Sequence, residues 1–133
     1  MSKKYLVAGG SSGIGLELVK SLAGQGNEVI VVSRTNDSLA GIDHVTHIQH
    51  DFSESSPLDL AIDSLDGIAY CPGTINLKPF RSLKQKDFEH DFQVNVMGAI
   101  KCVQTALPAL KKGTSPSIVF FSTVAVNQGM KYH

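Results

Sequence analysis

A glycine-rich turn between an apolar run and a helical pattern constrains the fold of this chain more than any other stretch. Residues 5–8 predict a short strand, residues 9–15 read Gly-Gly-Ser-Ser-Gly-Ile-Gly, and the apolar residues over 13–23 recur at helical spacing. A strand that turns tightly into a helix leaves backbone N–H groups free at the helix N-terminus, where the helix dipole adds partial positive charge. The stretch therefore predicts a phosphate-binding site.

Each glycine of the turn has a distinct expected role. Gly9 permits the sharp exit from the strand, Gly13 leaves room for a pyrophosphate beside the backbone, and Gly15 lets the new helix pack closely. The side chains between them, Ser11, Ser12 and Ile14, are expected to border the same ligand. A plain strand–helix turn is the alternative, which the flanking strand and helix patterns disfavour.

Composition narrows the class of protein. The chain has 133 residues, 42% of them hydrophobic, which fits one soluble globular domain over residues 1–133 with a sizeable core. Its 12 basic and 12 acidic side chains give no sign of a nucleic acid or membrane partner. Cys71 and Cys102 are the only cysteines, and without a recognisable leader they are expected to stay reduced, in the cytoplasm.

The remaining pattern alternates strands and helices. Helices are predicted at 13–23, 57–65 and 86–112, with Pro108 kinking the last, and strands at 5–8, 28–33, 45–50, 68–71 and 117–121. The second and fifth strands have the apolar composition of buried strands. The alternation predicts an α/β fold, a doubly wound parallel sheet of Rossmann type with strand order 3-2-1-4-5. Loops 9–15, 33–36, 51–52 and 71–73 should then meet at one ligand site.

Several motifs in this order resemble the N-terminal part of a short-chain dehydrogenase/reductase. The spacing Gly9-x-x-x-Gly13-x-Gly15 matches the cofactor glycines of that family, although Ala8 stands where a threonine is usual. Asp51, followed by Phe52, matches the acidic residue beside the adenine. Gly73 is the one residue of Cys71-Pro72-Gly73 that agrees with the usual Asn-Ala-Gly bordering the cofactor.

The resemblance also implies catalytic residues. Asn95, in Val-Asn-Val, matches an asparagine that supports a proton relay. The family serine falls on Thr123 by register, with Ser122 as the alternative hydroxyl. The expected tyrosine, with a lysine four residues later, would lie beyond His133, because Tyr132 comes too early. The resemblance thus implies an incomplete Rossmann domain whose C-terminal strands are missing.

The end of the second strand bears on the choice of cofactor. An NAD site normally places a carboxylate there to hold the ribose 2′-hydroxyl, whereas this chain has Ser33 followed by Arg34. An arginine can grip a 2′-phosphate in bidentate fashion, and the hydroxyls of Ser11, Ser12 and Ser33 could add donors. We therefore expect NADP as cofactor; a solvated surface arginine is the alternative.

The resemblance implies an oxidoreductase that moves a hydride between NADP(H) and a small ketone or secondary alcohol. A non-catalytic NADP(H)-binding module is the second hypothesis, and a methyltransferase is a weaker third.

The uncovered apolar edge at 117–121 predicts a homo-oligomer. His44, His47 and His50 suggest a metal by spacing, but alternation along a strand points His47 away from the other two, so no metal site is expected.

Overall fold

The fold is a single parallel sheet with helices on both faces. The computed structural model describes all 133 residues, Met1–His133. All four strand pairings are parallel, in the order β3-β2-β1-β4-β5. The predicted α/β class and strand order are thereby confirmed. The strands are β1 (Lys4–Ala8), β2 (Glu28–Ser33), β3 (Val45–Gln49), β4 (Gly67–Tyr70) and β5 (Ser117–Phe120).

Two apolar cores, one on each face, hold the helices to the sheet. Successive strand residues point to opposite faces, so Val7 and Val31 pack toward α1 (Gly13–Gly24), while Leu6 and Val32 pack toward the other side. That second core includes the fully buried Cys102 of α3 (Gly98–Leu110). None of the helices is both long and apolar enough to cross a membrane.

The helical region predicted at 86–112 is right in extent but not in regularity. It consists of α2 (Gln85–Phe92), a π-helical segment (Gln93–Met97) and α3, which continues past Pro108. A π-helical turn holds more residues than an α-helical turn, so it shifts the facing of the residues within it. No local signal in the sequence predicts this insertion, which places Asn95 against the loop after β4.

The helix predicted at 57–65 is wrong, because these residues form no helix or strand. Leu65 is buried in the second core. Leu58 is buried there too, and Leu60 and Ile62 pack against the same core, in alternation with exposed residues at 59, 61 and 63. This period of two is typical of extended chain. The carbonyls of the preceding segment are held instead by side chains, since Lys101 Nζ donates to Glu54 O and Ser56 O.

The prediction that the fifth strand is buried is also wrong. All four residues of β5 are exposed, and Phe120 is 58% exposed. The cause is topological, since β5 lies at the edge of the sheet and pairs only with β4. The expectation of an uncovered edge at this strand agrees with the structure.

Candidate functional site

A cleft of about 440 Å³ opens at the carboxyl ends of the central strands. The loops after β1, β2, β3 and β4 all contribute to its wall, as the doubly wound topology predicts. Every residue that the sequence predicted as cofactor-binding lies in this wall. These eleven residues are Gly9, Ser11, Ser12, Gly13, Ile14, Gly15, Ser33, Arg34, Asp51, Phe52 and Gly73.

The glycine turn shapes one side of the cleft. Gly9 and Gly13 have φ values of 71° and 54°, in the left-handed region that favours glycine. A Cβ on Gly15 would lie 2.2 Å from the carbonyl oxygen of Gly9, so only glycine allows α1 to start this close to β1. The glycine roles predicted for Gly9 and Gly15 therefore have a direct geometric cause.

The start of α1 offers unpaired donors to this cleft. The backbone N–H groups of Gly13, Ile14 and Gly15 make no hydrogen bond within the chain, and the side chain of Ser12 does not cap the helix. The first N–H groups of a helix lack intrahelical acceptors and carry the positive end of its dipole. This corner of the cleft is therefore suited to an anion such as a phosphate.

Charged side chains of both signs lie at the other end of the cleft. Arg34 is exposed and its guanidinium makes no ion pair or hydrogen bond within the chain. Asp51 Oδ1 accepts hydrogen bonds from Ser53 Oγ (2.7 Å) and Ser53 N (2.8 Å). These bonds, with a smaller contribution from nearby Arg34, lower the pKa of Asp51. Asp51 is therefore ionised at neutral pH, and its Oδ2 is without a partner in the chain.

Ser33 differs from its expected role as a hydroxyl donor to the ligand. Its side chain is buried, and Oγ donates to the carbonyl oxygen of Thr35 at 2.8 Å. The same Oγ lies 3.0 Å from Nε2 of His47. Ser33 thus lines the cleft, but its hydroxyl proton is already engaged within the chain.

The predicted catalytic residues lie outside the cleft wall. Asn95 Nδ2 donates to Thr74 O (2.7 Å) and its Oδ1 accepts from Thr74 N (2.9 Å), which fixes the loop beside Gly73. Thr123 Oγ1 accepts from Ala125 N (3.2 Å) and caps a short 3₁₀ turn. Ser122 is exposed. The structure thus brings Asn95 beside Gly73, one of the eleven cleft residues, but it does not bring Thr123 or Ser122 to the cleft.

Some residues of the wall have no predicted role. The alternation of side chains along β2 could have predicted Val32 as a wall residue. No local signal in the sequence marks the packing that places His90 of α2 and Val94 of the π-helical segment in the wall. Ser53 and Thr74 each follow a predicted loop and support it through the hydrogen bonds described above. The complete additional set is Val32, His50, Ser53, Cys71, Pro72, Thr74, His90 and Val94.

Burial shifts the pKa values of His50 and of the two thiols. The Nε2 atom of His50 is buried without a hydrogen-bond partner, and burial, followed by the charge of Lys101, lowers the pKa of this side chain. Burial raises the pKa of Cys71, and that of Cys102 to about 12, which leaves both as thiols at neutral pH. His44 is exposed and His47 contacts Ser33, so the three spaced histidines do not converge.

Comparisons with known proteins agree with this architecture. A profile of the short chain dehydrogenases matches residues 3–132. The benzil reductase ((S)-benzoin forming) of Saccharomyces cerevisiae is 33% identical over 94% of this chain and 56% of its own length. The L-xylulose reductase of Bos taurus is 27% identical over 98% of this chain and 57% of its own length. The chain thus spans about half the length of these curated relatives.

Solved structures share the fold. A short chain dehydrogenase from Salmonella enterica superposes with a TM-score of 0.86 at 23% identity, covering 99% of this chain and 62% of that one. A provisionally assigned short chain dehydrogenase from Escherichia coli CFT073, complexed with NADPH, superposes with a TM-score of 0.87 at 24% identity, covering 98% and 62%. With the profile match over nearly all of its residues, the chain belongs to the short chain dehydrogenase family.

Proposed function

We propose that this chain is the cofactor-binding part of an NADP(H)-dependent oxidoreductase that acts on a small ketone or secondary alcohol. The observation that carries the choice of NADP over NAD is Arg34. Its guanidinium is exposed and unpaired at the end of β2, where Ser33 replaces the carboxylate that would hold a ribose 2′-hydroxyl. A guanidinium matches the geometry and charge of a 2′-phosphate, which a carboxylate at this position would repel.

The rest of the cleft offers complementary groups to the rest of such a cofactor. The free N–H groups of Gly13, Ile14 and Gly15 would hold the pyrophosphate. Ionised Asp51 has a free oxygen that would accept a hydrogen bond from the exocyclic amine of an adenine. Phe52 and Gly73 would border the cofactor. When bound, the cofactor supplies or accepts the hydride.

Asn95, Thr123 and Ser122 are the proposed catalytic groups of this chain. Asn95 would support a proton relay from its fixed position beside the loop after β4. Either hydroxyl, of Thr123 or of Ser122, would hold the substrate oxygen. The names of two relatives, a benzil reductase and an L-xylulose reductase, support carbonyl reduction as the reaction type.

A second candidate is a module that binds NADP(H) without turnover. It is favoured by the position of Thr123 and Ser122, which lie outside the cleft wall. The same NADPH binding is expected in both cases, so binding does not separate them. Oxidation of NADPH by the full-length protein, in the presence of a panel of small carbonyl compounds, does separate them, because only the first candidate consumes the cofactor.

Arg34→Ala tests the cofactor choice. Hydrogen bonds to charged groups contribute about 1.5–3 kcal/mol, and solvent exposure reduces this, so we expect NADPH affinity to fall about five- to tenfold. Arg81→Ala is the control, since Arg81 is the other arginine of the chain, also exposed, and lies outside the cleft. Titration of NADPH fluorescence gives the affinities, and an unchanged value for Arg34→Ala would overturn the proposal.

We also propose that the chain self-associates and acts in the cytoplasm. The exposed apolar edge of β5 supports self-association, because an unpaired strand edge can pair with another chain. The two cysteines are unpaired, which fits a reducing compartment.

A further inference from the structure

We infer that His47 is a positioning residue for cofactor choice, because its imidazole holds the backbone segment that presents Arg34. The inference rests on the proposed function, in which Arg34 contacts the 2′-phosphate. His47 itself lies outside the wall of the cleft, so its effect on a cofactor must pass through other residues. These contacts lead from His47 on β3 to Ser33 at the end of β2.

The register of the sheet brings the two side chains together. Ser33 pairs with Gln49 and Val31 pairs with His47, so Ser33 and His47 lie on one face as diagonal neighbours. The Nε2 atom of His47 is 3.0 Å from Ser33 Oγ and 3.1 Å from the carbonyl oxygen of Ser33. The ring therefore contacts both oxygens of the last residue of β2.

The directions of these hydrogen bonds follow from proton counting. The carbonyl of Ser33 can only accept, and the hydroxyl proton of Ser33 is engaged with the carbonyl of Thr35 at 2.8 Å. Both oxygens consequently act as acceptors toward Nε2, which must carry a proton. His47 thus donates to Ser33, and Ser33 donates to Thr35.

Arg34 lies between Ser33 and Thr35, the two residues that the second of these hydrogen bonds connects. A second side chain of β3 contributes, since Gln49 Nε2 donates to the carbonyl of Arg34 at 3.3 Å. The guanidinium makes no ion pair or hydrogen bond within the chain, so its place in the cleft depends on the backbone at residues 33–35. Loss of the His47 donor frees the Ser33 hydroxyl to rotate, and the hydrogen bond from this hydroxyl to the carbonyl of Thr35 is then lost.

The test compares NADPH with NADH, because only NADPH carries the 2′-phosphate. We expect His47→Ala to weaken NADPH binding about three- to tenfold and to change NADH binding by less than about twofold. His47→Gln should restore NADPH binding, because its amide can place a donor where Nε2 lies. His44→Asn is the control, since His44 is exposed with φ 63°, a conformation that asparagine tolerates.

The outcomes separate this inference from the proposed function. Equal weakening of both cofactors, no change in either, or failure of His47→Gln to restore NADPH binding would overturn the positioning role. If Arg34→Ala leaves NADPH binding unchanged, the proposed cofactor choice fails and this inference with it. Should His47→Ala not fold, His47→Met fills the space without a donor and takes its place. ¹⁵N NMR of the imidazole should show a proton on Nε2. An unprotonated Nε2 would contradict the donation from His47 to Ser33.

Discussion

Substitution of Gly15 by alanine tests whether the tight glycine turn builds the cleft. The added Cβ would lie 2.2 Å from Gly9 O and 2.9 Å from Gly9 C, both backbone atoms that cannot rotate away. Real Cβ contacts stay above 3.0 Å, so the turn would have to open by about 0.8 Å. Overpacking of this kind costs about 1–3 kcal/mol, and the better helix propensity of alanine offsets up to about 1 kcal/mol. We expect a net loss of about 1–2 kcal/mol.

The same helix provides a matched control of opposite sign. Gly24 ends α1, and a Cβ there would meet nothing within 4 Å. Gly24→Ala should therefore gain up to about 1 kcal/mol from helix propensity alone. Thermal denaturation followed by circular dichroism should show a lower midpoint for Gly15→Ala, by about 3–8 °C, and an unchanged or higher one for Gly24→Ala.

Binding of NADPH gives the second readout for this pair. Displacement of the turn moves the N–H groups proposed to hold the pyrophosphate, so we expect Gly15→Ala to weaken NADPH binding at least about tenfold. Gly24→Ala should bind as the unsubstituted chain does. A Gly15→Ala protein with both normal stability and normal NADPH affinity would refute the close approach of α1 to β1 as the basis of the site.

Two further predictions concern a buried histidine and the sheet edge. Burial lowers the pKa of His50 from 6.5, so protonation is harder in the folded chain, and its contribution to stability is full above pH 6.5 and falls as pH drops below it. Between about pH 7.5 and about pH 5, the melting temperature should fall more steeply for the unsubstituted chain than for His50→Leu, and equal slopes would contradict this. Phe120→Lys should shift the chain toward monomer in sedimentation velocity, because a lysine on an edge strand opposes pairing. A chain that is already monomeric at high concentration would argue against self-association.

The parts of the fold with short-range signals could be predicted from the sequence. The glycine turn, α1 and the β-branched strand β2 have local patterns, and alternation of strand and helix then fixes the sheet order. The segment 57–65 was wrongly predicted as a helix, because its apolar residues fit both periods and the packing of Leu58, Leu60 and Ile62 against one core follows the period of two. The burial of β5 was wrongly predicted from its apolar composition alone, although the predicted strand order already placed this strand at an edge of the sheet.

The site shows the same division between local and long-range information. The loops that carry Gly9, Arg34 and Asp51 are predictable, since topology alone places them at one end of the sheet. The contacts of Ser33 with His47 depend on strand register, which the sequence pattern does not specify to within one residue. The π-helical segment that positions Asn95 was likewise invisible in the pattern of apolar residues.

A crystal structure of this chain grown with NADPH tests the central claim most directly. We predict that the pyrophosphate lies within hydrogen-bond distance of the N–H groups of Gly13, Ile14 and Gly15, with the 2′-phosphate at the guanidinium of Arg34. A cofactor bound elsewhere, or one whose 2′-phosphate points to solvent away from Arg34, would contradict the account.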